Sequence, residues 1–186
     1  NKAALQRLYA VKGRPADHPV IVHVANLEAA NTWVESIPPY AATLAQTFWP
    51  GPLTMILPKQ AWVPPEVTGG QPTVGVRVPN HPLALALLNA FQKGIAAPSA
   101  NKFGQLSPTT AAHVRQSFTT EEVPLVLDGG PSDVGIESTI VDCTGSLPRI
   151  LRPGMITEKQ ILEILQLNTP QNAPQLDASQ SNSIRV

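Results

Sequence analysis

The sequence predicts a single α/β domain in which helices flank a mixed, open sheet. Short apolar runs bounded by glycine or proline alternate with segments of helical periodicity, which is the order typical of layered α/β folds. Residues 53–78 contain two such runs with no helical pattern between them, which indicates antiparallel as well as parallel strands. The length of 186 residues is enough for one full hydrophobic core.

Helices are predicted from the signals at their ends. Residues 82–93 are rich in Leu and Ala, begin with a proline in the first turn and stop before a glycine, which predicts a buried helix. Thr157 and Gln160 form a capping-box pattern ahead of an apolar run, so a helix is predicted over residues 158–166. Helical periodicity predicts further helices over residues 2–11, 27–36 and 39–48.

Strands are predicted where short apolar runs stand between glycine or proline residues. The predicted strands are residues 20–24, 53–57, 73–78, 95–97, 124–127, 138–141 and 149–151. Together with the helices they predict one domain over residues 1–167. Gln, Asn, Ser and Pro dominate residues 168–186, which predicts a flexible linker.

The composition argues against several classes of protein. Thirteen basic and thirteen acidic residues give a net charge of zero, so attraction of the whole molecule to nucleic acid or membrane is not indicated. A single cysteine, Cys143, excludes an internal disulfide framework, and no apolar run approaches the roughly 20 residues that span a bilayer. Because a signal-peptide pattern is also missing, we expect a soluble, cytoplasmic protein.

Two loops carry candidate ligand-binding groups. Lys12 and Arg14 lie in a KGRP sequence, where the arginine fork can hold two phosphate oxygens, although a solvated basic turn is the alternative. Ser99 and Asn101 lie in an APSAN sequence directly after an apolar run, and the alternative role of Asn101 is to shape the turn. Ser107, which precedes a proline, predicts the N-cap of a helix whose free N–H groups favour a phosphate, and its alternative role is capping alone.

Several basic residues in predicted strands have two interpretations each. His23 is either a structural residue or a hydrogen-bonding partner of a ligand. Arg77 lies among small and β-branched residues and needs an anion, which is either a ligand carboxylate or an acidic side chain. Arg149 and Arg152 point to different faces if their run stays extended, so one of them could reach a ligand.

The sequence carries no dedicated metal or cofactor motif. Asp128, Glu137 and Asp142 lack the close spacing of a carboxylate metal site. The glycine patterns of dinucleotide-binding and P-loop proteins, the GxSxG pattern and Cys/His metal spacing are also missing. Catalysis by positioning and charge neutralisation therefore fits better than a covalent nucleophile.

Six ordered motifs resemble the YrdC-like family of threonylcarbamoyl-AMP synthases. They are KGRP to IVH (12–23), WPGPLT (49–54), VGVRVP (74–79), APSAN (97–101), ESTI (137–140) and RPG (152–154). The resemblance extends from residue 1 to about residue 167 and implies a twisted, open mixed sheet. It also implies an enzyme that joins L-threonine, bicarbonate or carbon dioxide, and ATP into threonylcarbamoyl-AMP and pyrophosphate, for the formation of threonylcarbamoyladenosine in tRNA.

The resemblance further implies roles for individual residues. Lys12 and Arg14 would be catalytic, because they would neutralise the developing pyrophosphate charge together with Mg²⁺ that arrives with ATP. The implied ATP-binding residues are Lys12, Arg14, His18, Thr73, Ser99, Asn101, Ser107 and Arg152. The implied threonine-binding groups are His23, Arg77, the backbone of Ala97, and Ser138.

Partners and neighbouring segments are also implied by the resemblance. Partner proteins would transfer the threonylcarbamoyl group to tRNA, and RNA binding is compatible with this role. In the family, a first strand and a threonine-contacting loop come before the place where residue 1 falls. Residues 183–186 are similar to the entry of the linker in the longer, two-domain members.

Two other functions remain open. A carbamoyltransferase module of the same fold would form a carbamoyl adenylate from carbamoyl phosphate, but the CxxC patterns that accompany such modules are missing. A non-enzymatic module that binds double-stranded RNA could use a groove lined by Lys12, Arg14, Lys102 and Arg115. Zero net charge and 5% aromatic residues argue against that as the main role.

Overall fold

A six-stranded mixed sheet forms the centre of the fold. The computed structural model describes residues 1–132 and 137–167, so the predicted linker over residues 168–186 lies outside the described residues. The strands are β1 (Val22–His23), β2 (Leu53–Pro58), β3 (Thr73–Arg77), β4 (Ile95–Ala96), β5 (Thr139–Asp142) and β6 (Arg149–Arg152). Their order across the sheet is β4-β1-β3-β2-β5-β6.

The sheet combines parallel and antiparallel pairs, as the sequence predicts. β1 is parallel to β3, and β2 is parallel to β5. The pairs β1 with β4, β2 with β3, and β5 with β6 are antiparallel. The prediction of a mixed open sheet is therefore confirmed.

Seven helices accompany the sheet within the described residues. They are α1 (Lys2–Lys12), α2 (Leu27–Asn31), α3 (Pro39–Phe48), α4 (Pro65–Thr68), α5 (Pro82–Phe91), α6 (Ala111–Ser117) and α7 (Glu158–Ile164). The predicted capping box of α7 is present, with reciprocal hydrogen bonds between Thr157 and Gln160. None of the described helices has the length and apolarity that a membrane crossing requires.

The hydrophobic core is centred on β2 and β3. Five consecutive residues of β2, 53–57, are buried, which explains why this strand is an unbroken apolar run apart from Thr54. Met55 of β2 and its register partner Val76 of β3 are completely buried. A rigid central pair of strands therefore supports the loops at both ends of the sheet.

Two helix predictions differ from the structure in burial or length. The sequence predicts a buried helix over residues 82–93, but in α5 only Leu88 is buried. Leu83, Leu87 and Phe91 are 38%, 43% and 52% exposed, so the apolar composition of this helix does not mean that the helix is buried. The helix predicted over residues 27–36 ends at Asn31, because the following chain turns away. Val34 then forms an antiparallel β-bridge with Lys59, the residue directly after β2.

The strand predicted over residues 124–127 is wrong. The segment forms no strand, and its Leu125 and Leu127 are 73% and 51% exposed. An apolar run becomes a strand only where a neighbouring strand offers hydrogen-bonding partners, and none of the described strands pairs with this segment.

The helix expected to begin after Ser107 begins at Ala111 instead. The Thr110 hydroxyl is its cap and accepts the N–H of His113 at 3.2 Å. The SPTT sequence contains two competing cap signals, and the second one is used. The Ser107 hydroxyl lies 3.4 Å from a carboxylate oxygen of Glu137, to which it donates.

Candidate functional site

Several strands end together at one side of the sheet and bring four predicted site residues with them. β1 and β3 end at His23 and Arg77, which are register partners. β2 is antiparallel to β3 and parallel to β5, so Ser138, directly before β5, lies at the same end. β6 ends there with Arg152, the register partner of Ile140. We call His23, Arg77, Ser138 and Arg152 the sheet-end cluster.

Hydrogen bonds to the ends of β2 and β5 hold the arginines of the sheet-end cluster. Arg77 Nε donates to the carbonyl oxygen of Gly51 at 3.0 Å. Arg152 donates from Nε and Nη2 to the carbonyl oxygen of Ser138 at 3.3 and 2.9 Å, and from Nη2 to its hydroxyl at 3.1 Å. The Ser138 hydroxyl also lies 3.0 Å from the Thr54 hydroxyl. The guanidinium groups are thus fixed before any ligand binds.

The sheet-end cluster has an excess of positive charge. Burial, and then the charge of Arg152, lower the pKa of Arg77. None of the ion pairs in the described part of the chain involves Arg77, whereas Arg152 pairs with Glu137. Of the two interpretations of Arg77, an acidic side-chain partner is therefore not supported. A partly buried guanidinium without a counterion provides a position for an anion.

His23 contributes a neutral ring to the sheet-end cluster. Burial, followed by the charge of Arg77, lowers the pKa of His23 to about 4, and a hydrogen bond with the Ile21 backbone opposes this only partly. At neutral pH the imidazole is therefore uncharged. Its Nδ1 atom is buried and has no hydrogen-bonding partner among the described residues. Buried polar atoms are usually paired, so this nitrogen is available to a ligand.

The KGRP and APSAN loops form a second group of predicted residues. The Lys12 ammonium is buried and donates to the carbonyl oxygens of Ser99 and Asn101. In the opposite direction, the N–H of Phe103 donates to the carbonyl oxygen of Lys12 at 2.7 Å. Burial, followed by the charge of Arg14, lowers the pKa of Lys12. Lys12 therefore ties the end of α1 to the APSAN loop.

Arg14, His18 and Asn101 are the other predicted site residues of these two loops, and of the three His18 contacts the opposite loop. Arg14 Nη2 donates to the carbonyl oxygen of Pro19 at 2.8 Å, and its buried Nε has no partner in the described part of the chain. The His18 ring packs edge-on against Phe103 with 5.4 Å between the ring centres. The Asn101 amide nitrogen donates to carbonyl oxygens within its own loop, and its buried Oδ1 atom has no partner among the described residues.

A cleft of about 430 Å³ adjoins the APSAN loop. Ser99 and Ser107 line it together with the exposed apolar side chains Leu83 and Leu87 of α5 and with residues 128–132. This volume is within the range of small-molecule sites, which are mostly apolar with a few polar groups. The cleft therefore suits a ligand that combines an apolar ring with polar groups.

Thr73 and Ala97 are not brought into the sheet-end cluster. Thr73 opens β3 and pairs with Pro58, so about 13 Å of strand separate it from Arg77 at the other end. The N–H of Ala97 donates to the carbonyl oxygen of Ile21 at 3.0 Å. Of the Ala97 backbone groups, the carbonyl is therefore the one that it can offer to a ligand.

The family is shown by sequence comparison. The family model of the Sua5/YciO/YrdC domain, described as "Telomere recombination", matches residues 1–154. This chain belongs to the Sua5/YciO/YrdC family. Curated proteins named threonylcarbamoyl-AMP synthase from Pyrococcus abyssi and Bacillus subtilis are 44% and 45% identical to it over 162 and 166 residues.

The coverage of these matches is uneven. They include 87% and 89% of this Sua5/YciO/YrdC chain but 47% and 48% of the relatives, so the chain spans about half the length of the curated relatives it matches. The crystal structure of P. abyssi Sua5 complexed with L-threonine superposes with a TM-score of 0.85 at 44% identity. That match covers 89% of this chain and 48% of the other. The predicted family and fold are confirmed.

Some groups in the site of this Sua5/YciO/YrdC chain escaped the sequence reasoning. Thr54, which contacts Ser138, had a usable signal because it is the polar residue within a buried apolar strand. For Glu137 the sequence suggests a metal ligand as the alternative role, whereas in the structure it pairs with Arg152. The Gly51 carbonyl oxygen and the ring of Phe103 left no signal, because their contacts depend on the approach of distant segments.

Proposed function

We propose that the protein is an L-threonylcarbamoyladenylate synthase, which forms threonylcarbamoyl-AMP and pyrophosphate from L-threonine, bicarbonate or carbon dioxide, and ATP. The names of the curated relatives and the threonine complex of P. abyssi Sua5 support this reaction. Within this chain the proposal is carried by Arg77, a partly buried cation that has no ion-pair partner among the described residues. Such a position favours a ligand anion, here the carboxylate of threonine.

The sheet-end cluster has the groups that threonine requires. Arg77 would bind the carboxylate with the guanidinium nitrogens that do not contact Gly51. His23 is neutral at pH 7, so it would not repel the amino group, and its unpaired Nδ1 would hydrogen-bond a polar group of threonine. The Ser138 hydroxyl and the Ala97 carbonyl are the remaining candidates for contacts with threonine.

The loop group and the cleft have the groups that ATP requires. Ser99 and Ser107 would contact the nucleotide from the cleft, whose apolar wall would face the adenosine. Arg14 and Arg152 would neutralise phosphate charge, and Asn101 would shape the loop. Lys12 would act mainly by holding the loop and by placing its charge behind it. The assignments of His18 and Thr73 to ATP rest on the family resemblance alone.

The proposed reaction has two steps. The threonine amine adds to carbon dioxide and loses a proton, which gives a carbamate. A carbamate oxygen then forms a bond to the α-phosphorus of ATP, while the bond to the β-phosphate oxygen breaks and pyrophosphate leaves with the electron pair. Arg77 would orient the amino acid, and Arg14 and Arg152 would stabilise the charge on the leaving group.

The described residues offer the proposed Mg²⁺ no preformed site. In the described ranges, no group of three or more His, Cys, Asp or Glu side chains could hold a metal ion. The ion would therefore be bound by the phosphates of ATP, where it would reduce their negative charge. No protein ligand is assigned to it. Transfer of the product to tRNA by partner proteins is a further part of the proposal.

The deciding experiment measures pyrophosphate release from ATP with and without L-threonine and bicarbonate. We expect release to require both. Turnover that requires carbamoyl phosphate instead would favour the carbamoyl-adenylate reaction, and salt-dependent RNA binding without turnover would favour an RNA-binding module. Arg14→Ala should weaken ATP binding far more than Arg115→Ala, and equal losses would contradict the assignment of Arg14.

A further inference from the structure

The carboxylate of Glu137 lies between two groups that we assign to ATP. It forms an ion pair with Nη1 of Arg152. Its Oε1 also accepts the Ser107 hydroxyl at 3.4 Å. Arg152 and Ser107 come from segments far apart in the chain, so an anion between them connects the sheet-end cluster with the cleft.

The orientation of Arg152 leaves one side of its guanidinium available for an anion. Nε and Nη2 donate to Ser138, which anchors the group at the start of β5. Nη1 is the nitrogen that faces Glu137. Because the guanidinium is anchored independently of Glu137, loss of the ion pair would leave Arg152 in place to bind another anion.

The Glu137–Arg152 pair is built differently from the structural ion pair nearby. Asp142 is 8% exposed at its side chain and binds Arg149 while also accepting the N–H and the hydroxyl of Thr144. Glu137 is 49% exposed, Arg152 is 36% exposed, and the second contact of Glu137 is the long one to Ser107. An exposed pair of this kind contributes little stability, so an anionic ligand can displace it.

We propose that Glu137 is an intramolecular placeholder that occupies the phosphate position between Arg152 and Ser107 and must be displaced when ATP binds. The proposal rests on the ATP site proposed above. It adds a residue, Glu137, that makes this site distinguish ligands with a phosphate at this position from ligands without one. A ligand that places a phosphate between Arg152 and Ser107 must compete with the carboxylate. A ligand that leaves this position empty does not.

The test compares the binding of ATP and of adenosine by calorimetry in the wild type and in Glu137→Gln. The glutamine keeps the size of the side chain but cannot form the ion pair. We expect ATP to bind about two- to fivefold more tightly to Glu137→Gln, the range that an exposed ion pair is worth. Adenosine should bind equally well to both proteins, because it brings no phosphate.

Two control variants separate displacement from a general change in charge. Asp128→Asn removes one negative charge from the lining of the same cleft without a contact to Arg152, and its effect on ATP should be smaller. Glu163→Gln removes a charge from the exposed face of α7, away from the cleft, and should leave ATP binding unchanged.

Several results of these binding measurements would contradict the placeholder role of Glu137. Weaker or unchanged ATP binding in Glu137→Gln, an equal gain in Asp128→Asn, an equal gain for adenosine, or no ATP binding by any variant would each overturn it. If ATP binding tightens as expected but pyrophosphate release does not depend on threonine, the placeholder stands and the proposed reaction fails.

Discussion

Arg77 and Arg149 are two arginines in strands that differ in burial and in partners, since Arg77 is partly buried and Arg149 is largely exposed. Arg149 pairs with the buried carboxylate of Asp142 at 2.9 Å, whereas Arg77 has no carboxylate partner in the described part of the chain. A paired buried charge needs its partner, while an unpaired one is unfavourable until a ligand arrives. The two residues should therefore respond oppositely to loss of charge.

For Arg77→Gln we expect threonine binding to fall by about 30-fold or more, because a charge-assisted contact is lost. The free energy of unfolding should stay the same or rise, because an uncompensated cation is removed. Arg149→Gln should leave threonine binding unchanged and lower the free energy of unfolding by about 1–3 kcal/mol, because Asp142 loses its partner. Calorimetry and urea unfolding measure both effects, and destabilisation by Arg77→Gln would contradict this account.

His23 should make stability depend on pH in the mildly acidic range. Its pKa is about 4 in the folded protein, against 6.5 as the ordinary value. Between these values the unfolded chain binds more protons, so the free energy of unfolding falls as the pH is lowered from about 6.5 to about 4, in total by about 3 kcal/mol. In His23→Asn this part of the decrease should disappear.

Urea unfolding at a series of pH values measures the contribution of His23. His113→Asn, which changes a histidine on the exposed helix α6, is the control and should keep the slope of the wild type. If His23→Asn and the wild type lose stability in parallel over this range, His23 does not cause the effect.

Between α5 and β4 the chain packs so closely against its neighbours that there is no room for a side chain. A Cβ atom on Gly94 would lie 2.6 Å from the Trp33 ring and 2.7 Å from Cγ1 of Val22, a residue with no exposed surface. Gly94 therefore sets how closely the edge of the sheet approaches the layer that contains Trp33. Its role is a matter of space, since its φ angle is not in the left-handed region.

Gly94→Ala should lower the free energy of unfolding by about 1–3 kcal/mol, because the ring and the strand must move apart. Gly145→Ala is the matched control, since the nearest atom to its added Cβ is 3.7 Å away, and it should change stability little. Urea unfolding of the two variants provides the comparison. Equal stability of the two would show that the Trp33 ring moves without cost.

For the molecule as a whole, Cys143 is a reporter of unfolding. It is fully buried, and burial, followed by the charge of Asp142, raises the pKa of its thiol to about 12. The thiolate is the reactive form, so the folded protein should react with a thiol reagent such as DTNB only when it opens. The labelling rate should be slow in buffer, fast in concentrated guanidinium, and faster in Gly94→Ala than in Gly145→Ala. Rapid labelling in buffer would show local opening around β5.

The sequence predicted most elements whose signals are local. The capping box of α7 and the strands in the core are examples, because a cap or an apolar run acts over a few residues. Predictions failed where the outcome depended on distant partners. Residues 124–127 have the composition of a strand but no neighbour in the described sheet, and α5 has the composition of a buried helix but an exposed face.

For the candidate site, residue chemistry alone predicted that Arg77 needs an anion, and the family resemblance supplied the two sets of binding residues. The sequence did not show which partners each of these groups contacts in the folded protein. Lys12 turns out to bind two carbonyl oxygens, and Glu137 pairs with Arg152. Such contacts join segments that lie more than ten residues apart in the chain, and the spacing of residues along the sequence carries no information about them.

The amino-acid order by itself determined the family, the mixed α/β class and the kinds of groups in the site, because motifs, apolar periodicity and charge are properties of the chain. The tertiary structure decided that Arg77 lacks a counterion in the described residues, that His23 is neutral, and that Arg152 and Ser107 share one carboxylate. These properties arise from burial and from distances between strand ends, and both exist only after the sheet has formed.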